Sequence, residues 1–164
     1  MRIIRQLDAF FGRVEFVLLV VFLTAMVLLA FLQVVLRNFF DTGLLWADTI
    51  VRHLVIWGGF TAAAIASSEG RHISIDALTK FLPDKLRRIA QVITGLFAVV
   101  VCWFLAEAAW KFIMDEKAAG SDLVLGIQTW VALLVIPVGY LLMGFHFIVK
   151  VIDSAFSITP AKEG

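Results

Sequence analysis

Apolar residues along this chain come in long runs, and the polar residues gather between them. Four runs stand out, over residues 16–36, 50–67, 89–114 and 127–149. At ~1.5 Å of rise per residue, runs of about 20 residues cross the ~30 Å hydrocarbon layer of a bilayer as helices. The first run carries only Thr24 and Gln33 as polar residues, and the amide of Gln33 needs a partner at that depth. The third run is longer than a bilayer requires, which predicts tilt or protrusion. The fourth contains Pro137, whose missing N–H predicts a kink.

The segments between the runs have patterns of their own. In residues 2–14, Ile3, Leu7, Phe10, Phe11 and Val14 recur at helical spacing while Arg2, Arg5, Asp8 and Arg13 fall elsewhere on the wheel. This predicts an amphipathic helix in the membrane interface. Residues 69–88 mix apolar positions with Arg71, Lys80, Lys85, Arg87 and Arg88, and predict a second interfacial segment between spans two and three. Asp41-Thr42-Gly43 is a turn signal, and residues 115–126 form a short polar connection. Asp48 and Arg52, and likewise Glu107 and Lys111, are acid-to-base pairs four residues apart, the favourable order on a helix. The expected architecture is an all-α integral membrane protein. It has four transmembrane helices in one domain, 1–164, forming a small bundle, with interfacial helices at the N-terminus and between helices 2 and 3.

Composition supports this reading. The chain is 62% hydrophobic and 16% charged, against about 45–50% and ~25% in soluble domains. The net charge of +1 gives no reason to invoke nucleic acid. Cys102, the single cysteine, sits inside an apolar run and reads as a small packed residue. The basic start before the first run resembles a signal peptide, but the run is too long and no small-residue cleavage pattern closes it before Arg37, so it reads as an uncleaved span. Grouped by side, Arg2, Arg5, Arg13, the five basic residues of 69–88, Lys150 and Lys162 oppose Arg37, Arg52, Lys111 and Lys117. The positive-inside rule therefore places both termini in the cytoplasm.

The most informative stretch is Gln33 to Asp76. Its slim helix carries Gly58, Gly59, Ala62, Ala63, Ala64, Ala66 and Ser67. Small residues let helix backbones approach closely in lipid, so this span is read as a packing helix. Spans one to four hold almost no charge at mid-depth, unlike a carrier that binds its own substrate. His53 and His146 fall at opposite ends of their spans, which argues against a haem held between helices. No catalytic motif is present, and Ser67, Ser68, Glu69 and His72 read as a helix end with a turn. No cofactor or enzymatic activity is expected.

An ordered set of residues then becomes specific: Gln33 and Arg37 closing span one, Trp46 and Asp48 opening span two, Arg52 and Trp57, and a Gly70, His72, Ile73, Asp76 exit. Gly120-Ser121, Trp130, and Pro137 with Gly139 follow. This order resembles the small membrane subunit of tripartite ATP-independent periplasmic (TRAP) transporters, the DctQ-like family, over nearly the whole chain. Thr49 stands where the family often has a second acid, and Ala62 where a glycine is usual. The resemblance implies a scaffold in the bacterial inner membrane. Its partners would be a large multi-span subunit, a periplasmic substrate-binding protein and membrane lipids, in sodium-driven uptake of organic acids such as sialic acid or C4-dicarboxylates. It also makes Gln33, Arg37, Trp46, Asp48, Arg52, Trp57, Gly58, Gly59, His72 and Asp76 candidates for partner contact or helix anchoring. The alternative is an anchor or assembly subunit of another complex, such as a respiratory enzyme.

Overall fold

A computed structural model describes residues 2–69, 84–124 and 126–156. Helix α1 runs Arg2–Phe40, α2 Leu45–Glu69 and α3 Asp84–Ala119. A two-stranded hairpin follows, β1 Asp122–Val124 with β2 Ile127–Gln128, then α4 Thr129–Leu133 and α5 Val135–Phe156. Four stretches are long and apolar enough to cross a membrane: Gln6–Phe40, Leu45–Ser68, Ile89–Ala119, and Thr129–Ser154 across α4 and α5. These contain the first three spans read from the sequence and all of the fourth except residues 127 and 128.

The contacts place the spans in a row. α1 packs on α2, α2 on α5, and α5 on α3, while α1 touches α5 only slightly. A row buries less than a closed bundle, and burial follows position in it. The α4–α5 span has 22% of its apolar window buried, α2 has 11%, and the flanking α1 and α3 have 6% each. Ile113 and His146 are the large side chains with essentially no exposure among the described residues. The expected small bundle is thus an open layer with two broad apolar faces.

α1 is 39 residues long, about 58 Å at 1.5 Å per residue. The N-terminal segment is helical, as its periodicity predicts, and continuous with span one rather than set off from it. Gly12 is the weakest helix former there, and one glycine does not stop a helix held by its neighbours. The segment expected along the interface between spans two and three falls largely on residues 70–83, outside the described residues.

α1 stops at Asp41, whose φ of 47° is the left-handed conformation that aspartate tolerates better than most residues. Thr42 N–H bonds back to Leu36 O at 3.3 Å, and the turn read at 41–43 forms. α3 ends on Gly120, with φ +66° and its N–H 3.2 Å from Glu116 O, a left-handed helix cap. The hairpin pairs Asp122 with Gln128 and Val124 with Ile127 around Gly126 at φ +77°. The run read as starting span four at 127 therefore begins as strand and becomes helix at Thr129.

The predicted interruption at Pro137 appears one turn earlier, at Leu134. A proline ring clashes with the carbonyl four residues back, so the disturbance falls on that preceding turn. There the helix tightens, with Leu134 N–H reaching Val131 O at 3.3 Å.

Among the described residues, the tightest approaches to a glycine are at Gly139 and Gly95. A Cβ on Gly139 would lie 2.7 Å from Phe60 Cδ1, and one on Gly95 2.5 Å from Val151 Cγ2. Gly59 has nothing within 4 Å, and Gly58 only Leu19 at 3.9 Å. On α2, Ala64 and Ser67 are buried while Gly59, Ala62 and Ala66 are exposed. The slim helix thus turns one small-residue face inward and another outward. Cys102 is buried on α3 with Ala106 and Ile113, next to Gly144 of α5, and Lys111 pairs with Glu107 at 2.7 Å as its spacing predicts.

Candidate functional site

Two polar clusters lie at opposite ends of the helices, with an apolar stretch between them. The first is where α1 turns into α2. Gln33 Nε2 donates to Leu44 O at 2.9 Å and to Asp48 Oδ1 at 3.0 Å, while its Oε1 accepts from Leu44 N–H at 3.2 Å. One amide therefore satisfies both backbone groups of the last loop residue and tethers the acid in the first turn of α2. That acid also sits at the positive end of the helix dipole. Arg37 approaches Asp48 at 3.9 Å, with both side chains more than half exposed. Gln33, Arg37 and Asp48 surround a recess of about 440 Å³ together with residues 41–45.

Asp48 faces Gln33 and Arg37 rather than Arg52, its expected partner. The short loop brings α1 back against the first turn of α2, and the acid meets side chains from across that loop before one a turn away on its own helix. Arg52 is exposed and Trp46 half-buried, and neither joins the recess. His53 Nδ1 lies 2.8 Å from Thr49 O on its own helix.

Trp57 ties the middle of the row together. Its Nε1 donates to Ala132 O at 2.7 Å, inside the turn that Pro137 disturbs, and its ring meets Phe22 edge-on at 5.4 Å. This candidate anchor therefore clamps α2 to the break in the fourth span. Gly58 is buried beside it and Gly59 faces out. His72 and Asp76 lie outside the described residues.

The second cluster, at the end where the chain begins, is missing from the sequence reading. His146, with no exposure, places Nδ1 2.6 Å from Asp8 Oδ1 and Nε2 3.0 Å from Glu15 Oε1. Each ring nitrogen of His146 thus faces one carboxyl oxygen, so the imidazole bridges two acids of α1 through hydrogen bonds at both of its nitrogens. One turn on, Lys150 Nζ donates to Ser67 O, a carbonyl in the last turn of α2, where a cation complements the helix dipole. Asp8 also acts electrostatically on Lys150. The cluster joins α1, α2 and α5. Its signal was available: Asp8 and Glu15 are seven residues apart, and His146 and Lys150 four, so each pair shares a helix face.

Among the described residues, no group of three or more His, Cys, Asp and Glu side chains is arranged to hold a metal ion. The chemistry of both clusters is hydrogen bonding and charge pairing that fix helix ends.

Residues 26–156 match the family model described as tripartite ATP-independent periplasmic transporters, DctQ component. The chain is 33% identical over 106 residues to a candidate TRAP transporter small permease protein of Haemophilus influenzae, covering 65% of this chain and 66% of that one. It is 26% identical over 148 residues to the sialic acid TRAP transporter permease protein SiaT of the same species, covering 90% of this chain and 23% of SiaT. It is 24% identical over 156 residues to the ectoine TRAP transporter small permease protein TeaB of Halomonas elongata, covering 94% of this chain and 81% of TeaB. The chain thus spans just under two thirds of the first relative and less than a quarter of the second.

Proposed function

The chain belongs to the DctQ component family of tripartite ATP-independent periplasmic transporters, and on that premise we propose that it is the small, stationary membrane subunit of such a transporter. It packs in the bacterial inner membrane against a large multi-span subunit that carries the solute and sodium sites. The observation that carries this reading is the open row of spans. Its outward faces are apolar, with Phe31, Phe97, Trp103 and Phe104 each at least 64% exposed, and α2 presents Gly59, Ala62 and Ala66 outward. Such a face allows close backbone approach by a partner helix, and membrane lipids cover the remainder.

The transported solute is an organic acid such as sialic acid, which the name of one relative states, or a C4-dicarboxylate, and a sodium gradient drives its import. Both termini face the cytoplasm, because the basic residues concentrate on that side. The Gln33, Arg37 and Asp48 end then faces the periplasm and supports docking of the substrate-binding protein. His72 and Asp76 fix the cytoplasmic exit of span two.

The test is uptake in cells lacking this chain but retaining the large subunit and the binding protein. Solute import should disappear, return when the chain is restored, and fail when the sodium gradient is collapsed. Undiminished uptake without the chain contradicts the role. A reporter fused after Gly164 that is active only outside the cytoplasm contradicts the orientation.

A further inference from the structure

The end where α1 turns into α2 stands clear of the acyl chains. Gln33 lies 18 residues along α1 from Glu15, about 27 Å at 1.5 Å per residue, which matches the ~30 Å hydrocarbon layer. The helix continues past Gln33 for about two more turns, to Phe40. The recess of about 440 Å³ lies here, and its charged residues are Arg37, Asp41 and Asp48. The two acids leave it with a formal surplus of one negative charge. Asp41 makes no side-chain hydrogen bond or ion pair among the described residues. Asp48 gives Oδ1 to Gln33, while its Oδ2 has Arg37 only at 3.9 Å, beyond hydrogen-bond length. The surroundings are apolar. Leu45, 91% exposed, and Phe39, 77% exposed, are the two most exposed large apolar side chains of the described residues, and Phe40 is also exposed. Leu45 lines the recess itself, and Phe39 and Phe40 end the helix that leads into it. Exposed apolar side chains gathered around polar groups mark a contact surface.

We propose that this recess receives a lysine or arginine side chain of the substrate-binding protein between Asp41 and Asp48, with Phe39, Phe40 and Leu45 packing around the contact. The inference rests on the reading of this end as the docking side and names the group that docks. A basic side chain neutralises the surplus charge and uses the carboxylate oxygens that lack a close donor, whereas an anionic group would add to the surplus. A large membrane subunit meets this chain along the apolar spans. The recess and its rim lie past those spans, where a partner arriving from water reaches them first. One exposed charge pair within a small apolar ring suits a partner that must bind and leave, because complementary charge acts mainly on the rate of encounter.

The test uses the complex of this chain with its large subunit in lipid nanodiscs, and the purified substrate-binding protein encoded with it, loaded with solute. A photoreactive phenylalanine analogue at position 45 should form a covalent adduct with the binding protein, read by mass spectrometry. Asp41→Asn should weaken association about fivefold at low ionic strength, as one exposed charge pair does, and the difference should vanish in high salt. Asp41→Lys should weaken it further, and a glutamate in place of one basic residue of the binding protein should restore it. Asparagine tolerates the left-handed conformation of position 41, so the unfolding midpoint of the isolated chain should stay in place in Asp41→Asn, which separates loss of the contact from loss of the fold. An adduct with the binding protein, combined with unchanged association of both Asp41 variants, overturns the recess proposal and leaves docking at this end standing. Association without that adduct, or an adduct at position 45 with a phospholipid or the large subunit instead, overturns both the proposal and docking at this end. No association at all contradicts the docking role itself.

Discussion

Replacing His146 with leucine would leave the Glu15 carboxylate, 4% exposed at the side chain, without its partner at 3.0 Å. Asp8, 28% exposed, would lose its partner at 2.6 Å but could still recruit water. Breaking a buried ion pair from one side costs about 3–5 kcal/mol, because the remaining charge stays desolvated. Removing Glu15 together with His146 costs much less, since no fully buried acid is then stranded and Asp8, 28% exposed, can reach water. Lys111→Ala is the control: its pair with Glu107 is just as short, but the side chains are 73% and 49% exposed, and such pairs contribute ~0–1 kcal/mol. The assay is reversible unfolding of the purified chain in mixed micelles by added dodecyl sulfate, followed by circular dichroism. His146→Leu should shift the midpoint several times further than Lys111→Ala, and the double variant Glu15→Leu/His146→Leu should recover most of the shift. If His146→Leu unfolds alongside Lys111→Ala, or the double variant shows no recovery, the clamp between α1 and α5 is not a stabilising element.

Four further outcomes follow from the geometry. Gly139→Ala drives a methyl to within 2.7 Å of the Phe60 ring and should destabilise the isolated chain by about 1–3 kcal/mol in the same assay. Gly59→Ala, with nothing within 4 Å, should be silent there, whereas Gly59→Leu should reduce co-purification with the large subunit while leaving the isolated chain's midpoint in place. Gln33→Leu strands the N–H and C=O of Leu44 and should cost about 1–3 kcal/mol, against ~0–1 kcal/mol for Arg37→Ala, whose pair is long and exposed. Trp57→Phe removes the hydrogen bond to Ala132 O and should cost about 1 kcal/mol, with faster amide exchange near Leu134 by mass spectrometry.

The four spans were legible because lipid demands long apolar runs and closes each helix's hydrogen bonds within itself. The partner needed by Gln33 could be anticipated from its depth, though not its identity. Choosing Gln33 and Arg37 over Arg52 for Asp48 depends on how tightly residues 41–44 turn, which no helical periodicity encodes. The contacts of the glycines were hidden for a related reason. A small residue permits close approach without saying which neighbour makes it, so Gly139 and Gly95 carry the tight contacts while Gly59 faces outward. The Asp8–Glu15–His146 cluster escaped because His146 lies 131 or more positions from either acid, and reading residues 2–14 as a separate interfacial helix detached Asp8 from span one. The spacing of each pair was visible; the pairing of the pairs needed the fold. The open row was also hidden, since amphipathic contrast fades when both lipid and protein faces are apolar.

The central claim, that this chain is a subunit built to pack against a larger transporter component, is tested most directly by site-specific cross-linking in native membranes. A photoreactive residue at position 59 or 62, with a tag on the chain, would be followed by mild-detergent purification and mass spectrometry. The account predicts a stoichiometric adduct with one much larger multi-span protein, with a periplasmic substrate-binding protein captured or encoded beside it. Recovery of the chain alone, or joined to subunits of a redox enzyme, would contradict it.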